Sequence, residues 1–240
     1  MTENMLTNAA FPKHVVIIPD GNRRWASEHG LEPWEGHEEG ARNTEILVRE
    51  ALRLGVQELS IWGSSMENLS KRPLVERSAL LRIYETYFQK LLESEDIHKD
   101  KVRIRFIGHW EDQFPTSLKK ILYACLEATK DYHEHFLNFF LAYNGDDEMR
   151  RAIQKIAESL PAGGKVTDSM IKENLMTKDM PPVDLLIRTG GDPHLSAGFM
   201  MWDMAYAQLY FSQKFYPDFG KESLQAAFED YARRERRFGK

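Results

Sequence analysis

The stretch HVVIIPDGNRRWA, residues 14–26, runs from an apolar segment into a turn and then into two arginines. A short run that is apolar on both faces suits a strand of a sheet covered by helices. Pro19-Asp20-Gly21-Asn22 ends it abruptly, and Gly21 lets backbone approach a ligand closely. Asn22, Arg23 and Arg24 then offer amide and guanidinium donors where the next helix is expected to begin. Donors so placed suit phosphate. A turn with solvated arginines is the other reading of this stretch alone.

Five further segments resemble this first strand. They are VQELSIW (56–62), VRIRFI (102–107), FLNFFLA (136–142), VDLLI (183–187) and, more weakly, QLYFS (208–212). Helical periodicity fills the spaces between them. One helix is expected over 37–55, closing on Gly55. A long amphipathic helix is expected over 74–96, and another within PTSLKKILYACLEATKDY. DDEMRRAIQKIAESL sets Met149, Ile153, Ile156 and Leu160 on one stripe, Asp168-Ser169 can cap a short helix, and a last helix covers about 221–235. Alternating strands and helices predict one α/β domain, with a central, mainly parallel six-stranded sheet flanked by helices. In such a sheet ligands gather beyond the carboxyl ends of the strands. That is where Asp20 falls.

Composition narrows the partners. The 240 residues carry a formal net charge of -5, which disfavours a nucleic-acid partner. The single cysteine, Cys125, cannot form an internal disulfide, as suits a reducing, cytoplasmic setting. No uncharged run reaches the roughly 18 residues of a membrane span, and residues 1–13 do not read as a secretory signal. No phosphate-binding G-x-x-x-x-G-K-[ST] loop and no dinucleotide G-x-G-x-x-G occurs.

A second stretch, IRTGGDPHLSAGFMMWDMAYAQLYFSQKFYPDFG at 187–220, follows the strand VDLLI with another set of anion ligands. Together with the first motif, and with GHEEG (36–40), SSMENLSKRP (64–73), FIGHWEDQFP (106–115) and RRFG (236–239), it closely resembles the cis-prenyltransferases, the undecaprenyl diphosphate synthase family. The likeness runs from about residue 14 to the C-terminus, leaving 1–13 as an extension. It implies a Mg²⁺-dependent homodimeric enzyme of isoprenoid biosynthesis. Such an enzyme joins isopentenyl diphosphate to an allylic prenyl diphosphate and leaves a Z double bond.

The resemblance also implies roles. Asp20 would bind Mg²⁺ and assist diphosphate departure, and Asn68 matches a position implicated in proton handling. Gly21, Asn22, Arg23 and Arg24 would cradle the allylic diphosphate, with His37 and Arg72 closing round it. Trp25 would be an apolar wall or plain core. Isopentenyl diphosphate would sit on Arg188, His194 and Ser196, while Arg237 either reaches a partner subunit's site or is a basic tail. The family's metal-binding acid in A-Y-A-E-L-Y-F is Gln208 here, a neutral ligand, with Asp192 and Asp203 as nearby replacements. The family's second arginine in R-T-G-G-E-x-R is His194, an arginine before G-H-x-x-G is replaced by Pro33 or absent, and SAGFMMW is one residue longer than the pattern.

A hydrophobic tunnel follows from the same resemblance. Leu80, Ile83, Tyr84, Tyr87, Phe88, Leu137, Phe139 and Phe140 are its candidate lining, and large aromatics would favour a short to medium chain. The product implies peripheral membrane contact rather than a span. The aromatic segment Tyr206–Tyr216 is the expected dimer face. Two alternatives stand beside regular elongation. One is irregular head-to-middle coupling of allylic diphosphates, motivated by Gln208 and His194. The other is a non-catalytic partner subunit, against which stands the retained Asp20.

Overall fold

The computed structural model describes residues 11–234. Six strands form one parallel sheet: β1 (His14–Ile18), β2 (Glu58–Trp62), β3 (Val102–Ile107), β4 (His135–Phe140), β5 (Leu185–Arg188) and β6 (Gln208–Phe211). Their order is β3-β4-β2-β1-β5-β6, which puts the opening strand near the middle. β1 pairs on one side with β2, His14 opposite Glu58, and on the other with β5, Ile18 opposite Arg188.

Helices cover both faces, as strands buried on two sides require. They are α1 (Asn22–Glu28), α2 (Pro33–Arg53), α3 (Met66–Lys71), α4 (Leu74–Leu92), α5 (Glu95–Lys99), α6 (Trp110–Gln113), α7 (Thr116–Thr129), α8 (Gly145–Ser159), α9 (Asp168–Asn174) and α10 (Lys221–Arg233). Side chains alternate along each strand. Val15 and Ile17 join the larger core with Leu47, Leu80, Phe88, Leu118 and Phe228; Val16 and Ile18 join the smaller one with Phe140, Tyr143 and Phe199. Each such fully buried side chain contributes about 1.5–3 kcal/mol.

The strand order creates a switch point. From β1 the chain moves to β2 on one side, whereas from β5 it moves to β6 on the other. The crevice beyond the carboxyl ends of β1 and β5 is the ligand-binding position of an open α/β sheet. Asp20 and Arg188 both stand at its edge.

Several boundaries differ from the sequence reading. α2 begins at Pro33 rather than His37, because the Glu35 carboxylate accepts from the Glu32 N–H at 2.9 Å and proline suits the first turn. Its end is as expected: Gly55 has φ 81° and donates to the Leu52 carbonyl. The long helix expected over 74–96 stops at Leu92 and restarts at Glu95. The strand expected to reach Ala142 ends at Phe140, and Ala142 is left-handed at φ 52°. Thr167, not Asp168-Ser169, caps α9 by accepting from the Met170 N–H. On α8 the buried stripe runs through Ala152 and Ile156, leaving Ile153 exposed. Residues 11–13 are held to the domain: Phe11 packs on Phe228, and the Lys13 N–H donates to Asp184 at 2.8 Å.

Candidate active site

At the switch point the two motifs meet. Asp20 Oδ2 accepts from Arg188 Nη2 at 2.6 Å, and Arg188 Nη1 donates to Ser196 Oγ at 2.6 Å. The second Asp20 oxygen accepts from the Gly21 N–H at 2.6 Å and lies 3.3 Å from Arg24 Nη2. Thr189 fixes the backbone here: its Oγ1 accepts from the Asp20 N–H at 2.8 Å and donates to the Asp20 carbonyl at 2.7 Å. Arg188 is buried, yet its Nε has no hydrogen-bond partner. A buried, fixed guanidinium with a spare donor suits an oxyanion.

Two glycine contacts explain this packing. Gly21 has φ 101°, and a Cβ there would lie 2.5 Å from Phe215 Cδ1. Phe215 also holds Arg24, whose guanidinium carbon is 5.2 Å from the ring centre. Gly36 of the GHEEG motif lets α1 rest on α2: a Cβ there would sit 2.1 Å from the Asn22 carbonyl oxygen. Asn22 Oδ1 is buried without a partner, a second spare polar atom at the site.

A second cluster is built on α4. Glu76 Oε1 receives Arg72 Nη1 at 3.1 Å, with His37 Nε2 at 3.4 Å and Arg23 Nε at 3.8 Å. Arg72 Nη1 also donates to His37 Nε2 at 2.8 Å, which requires a neutral imidazole. Burial, reinforced by the Arg72 charge, lowers the His37 pKa to about 4. One buried carboxylate thus gathers two cations, Arg72 and Arg23, and a neutral imidazole, all three expected round an allylic diphosphate. The sequence reading missed Glu76.

From this cluster a cavity of about 550 Å³ extends between the sheet and helices α2 and α4. Pro19, Asn22, His37, Asn68 and Arg72 line it, and Ile61, Leu80, Ile83, Tyr84, Phe88 and Phe139 continue its wall. Leu137 and Phe140, both expected in this lining, are elsewhere. Phe140 points to the opposite face of the sheet, and Leu137 borders a small separate void. α2 contributes a wall the sequence reading missed, through Gly40, Ala41, Thr44, Val48 and Leu52.

Other expected residues are placed differently. Trp25 is outside the cavity lining: its Nε1 donates to Asp218 at 2.9 Å and its ring stacks on His29 at 4.1 Å. It therefore ties α1 to the turn at 216–218. The Asn68 backbone N–H donates to the capping Ser65 Oγ at 3.0 Å. His194 is exposed, with its N–H bonded to the Asp192 carbonyl. Gln208 opens β6 opposite Leu185, three residues before the level of Arg188, or about 10 Å along the strand. Within one chain it is not brought to Asp20, and its Oε1 is buried without a partner. Asp203 is held by Lys172 and by Thr177 Oγ1 at 2.6 Å, so it is no spare metal ligand; Asp192 is exposed. Tyr216 is buried with its hydroxyl 2.8 Å from Thr44 Oγ1, which removes it from the expected dimer face, whereas Tyr206 is exposed. Arg237 lies outside the described residues.

Among the described residues no group of three His, Cys, Asp or Glu side chains could hold a metal. Asp20 supplies a carboxylate at the switch point. One carboxylate is compatible with Mg²⁺, which is commonly held by one or two carboxylates together with substrate phosphates and water. Among the described residues no helix is long and apolar enough to cross a membrane.

Comparison with known proteins agrees with this geometry. The prenyltransferase family model, described as undecaprenyl diphosphate synthase, matches residues 18–239. The tritrans,polycis-undecaprenyl-diphosphate synthase (geranylgeranyl-diphosphate specific) of Methanopyrus kandleri is 38% identical, over 99% of this chain and 88% of its own. The isoprenyl transferase of Clostridium perfringens is 37% identical, over 99% of this chain and 93% of its own. Among solved structures, lavandulyl diphosphate synthase from Lavandula x intermedia, in complex with dimethylallyl diphosphate, matches with a TM-score of 0.88 and 30% identity, covering 96% of this chain and 99% of that one. The chain belongs to the undecaprenyl diphosphate synthase family of prenyltransferases.

Proposed function

We propose that the protein condenses isopentenyl diphosphate with an allylic prenyl diphosphate to give a Z-configured polyprenyl diphosphate, acting with Mg²⁺ and as a homodimer. The observation that carries this reading is the cavity: cationic and polar at one end, apolar along its wall. Such a shape fits a diphosphate head and a hydrocarbon tail.

In the reaction the allylic C1–O bond breaks and diphosphate leaves with the electron pair. The double bond of isopentenyl diphosphate forms the new carbon–carbon bond, and a proton then leaves its C2. Arg23, Arg24 and Arg72 hold the departing negative charge, and preorganised donors of this kind stabilise charge as it develops. Neutral His37 offers a ring N–H and adds no charge. Arg188 and Ser196 hold the second diphosphate, using the unpaired Arg188 Nε. The cavity wall keeps water from the allylic carbon. Asn68 lines the reacting end; as an uncharged amide it positions rather than removes the proton. Mg²⁺, held by Asp20 with substrate oxygens, would neutralise diphosphate charge.

Mass spectrometry tests this directly. Protein, Mg²⁺ and isopentenyl diphosphate are incubated with dimethylallyl, geranyl, farnesyl or geranylgeranyl diphosphate in turn. Products extended by whole isoprene units are expected with at least one primer. Their absence from every incubation overturns the proposal.

A second reading is irregular coupling of two allylic diphosphates. It is favoured by the neutral Gln208, the exposed His194 and the likeness to a lavandulyl diphosphate synthase solved with dimethylallyl diphosphate. A coupled product from dimethylallyl diphosphate alone would establish it.

A further inference from the structure

The turn that joins β4 to α8 touches elements belonging to both diphosphate sites. On one side it holds α3. Asn144 Oδ1 accepts from the Met66 N–H at 3.0 Å, and Asn144 Nδ2 donates to the two carboxylate oxygens of Glu67 at 3.0 and 2.8 Å. The amide thus satisfies a first-turn donor of α3 that has no partner within the helix. Contact with Asn144 is also the main cause that lowers the Glu67 pKa from its ordinary value.

On its other side the turn meets the segment 196–200. A Cβ at Gly145 would lie 1.9 Å from the Gly198 carbonyl oxygen, so the two stretches touch backbone to backbone. Ala197 and Met200 have φ 48° and 46°. Such strain persists only where the surroundings hold it, and this segment delivers Ser196 to Arg188. The turn is itself anchored: the Tyr143 N–H donates to the Ser64 carbonyl at 3.0 Å, and the Ala142 N–H donates to Ser64 Oγ at 3.1 Å.

We propose that Asn144 is a positioning residue: by holding Met66 and Glu67 it sets Asn68 at a fixed place relative to Ser196 and the isopentenyl diphosphate site. The inference rests on the condensation reading above and goes beyond it, because Asn144 lies outside the cavity lining. Arg72, which follows α3, is held separately by Glu76 and His37, and Arg188 is held by Asp20. Loosening the Asn144 contact therefore leaves both diphosphate grips in place and displaces Asn68 from the bond that forms. Misplacement by about 1 Å in such an arrangement costs about 10²-fold in rate.

Two isosteric changes test this bracket. Asn144→Asp keeps the acceptor for the Met66 N–H but sets a second carboxylate against Glu67, which drives α3 away. Adding Glu67→Gln restores the bond with donor and acceptor exchanged. Rapid-quench single turnover reads the first condensation of isopentenyl diphosphate with the allylic diphosphate that the product assay selects. Calorimetry reads the Kd of each diphosphate alone. Asn144→Asp is expected to slow the first condensation about 10–100-fold. Both Kd values stay within about threefold of the unaltered protein's, because the interaction lost is one made in the transition state. The double variant regains most of the rate.

An unchanged rate in Asn144→Asp overturns the bracket, as does a double variant that stays as slow as the single one. A loss that appears wholly in either Kd overturns it too. If Asn144→Asp fails to fold by circular dichroism, Glu67→Ala removes the same contact from its exposed side and is read by the same rate and Kd values. An unaltered protein that makes no product overturns the reaction and the bracket with it. A working enzyme whose variants keep their rate overturns the bracket alone.

Discussion

Arg188 Nη2 donates to Asp20 Oδ2 at 2.6 Å, across 168 residues of chain. The pair joins the carboxyl ends of adjacent strands, so the two anion-binding motifs form one site. Arg188 is 3% exposed, whereas the Asp20 side chain is 31% exposed. The acid is therefore accessible to substrate, while the arginine is held from behind. A diphosphate must compete with this carboxylate for Arg188, Arg24 and the Gly21 N–H.

Replacing Asp20 with Asn keeps the shape and removes the charge. Turnover is expected to fall at least about 10²-fold, the scale of losing a preorganised electrostatic contact. The circular dichroism spectrum should remain that of the folded protein. Near-normal turnover in a steady-state assay would remove Asp20 from its role.

Glu76→Gln leaves Arg72 and His37 without their shared carboxylate. Because this acid is buried, the expected loss of stability is about 3–5 kcal/mol, the range for breaking one side of a buried pair. The KM for the allylic substrate should rise more than kcat falls, since Glu76 positions binding groups. Chemical denaturation and steady-state kinetics on the same variant read both effects. Unchanged KM would reduce Glu76 to a structural acid.

His37 has a folded pKa lowered to about 4, chiefly by burial and then by Arg72, against 6.5 as its ordinary value. Between these values the unfolded chain binds the proton that the folded chain refuses. Its contribution to stability is therefore full above pH 6.5 and is lost as pH falls towards 4. The amount is on the order of 3 kcal/mol. Urea melts from pH 7 to pH 4 should show this loss, and His37→Gln should flatten the slope in that window.

Gly36→Ala places a methyl carbon 2.1 Å from the Asn22 carbonyl oxygen, so α1 must move away from α2. About 1–3 kcal/mol of destabilisation is expected from such overpacking. Weaker allylic diphosphate binding should accompany it, because Asn22, Arg23 and Arg24 ride on α1. Gly30→Ala is the steric contrast: nothing lies within 4 Å of its added carbon, although its φ of 68° adds backbone strain. Melting curves and ligand titration separate the effects. Intact binding in Gly36→Ala would show that helix packing does not set the site.

Much of this was legible in residue order. Short apolar runs and helical stripes identify strands and helices because their periods are local properties of the backbone. Asp20, Arg24 and Arg188 stood out because charged groups follow directly on apolar strands. Boundaries such as Leu92 and Ala142 escaped, since hydrophobic pattern continues through a change of backbone direction. Phe139 and Phe140 share a composition, but the strand sends them to opposite faces. Trp25 reads as an apolar wall, yet its partner Asp218 is 193 residues away.

The sequence by itself determined a parallel α/β domain, two anion-binding motifs at strand ends and the family resemblance, because each is written in contiguous residues. Only the tertiary structure decided that Asp20 and Arg188 share one ion pair, that Glu76 gathers Arg23, His37 and Arg72, and that Gln208 starts its strand away from Asp20. It also paired Glu45 with Lys90 and Arg49 with Asp96 across neighbouring helices. These relations depend on strand order, helix packing and burial. Those are set by contacts between distant segments, which local pattern does not encode.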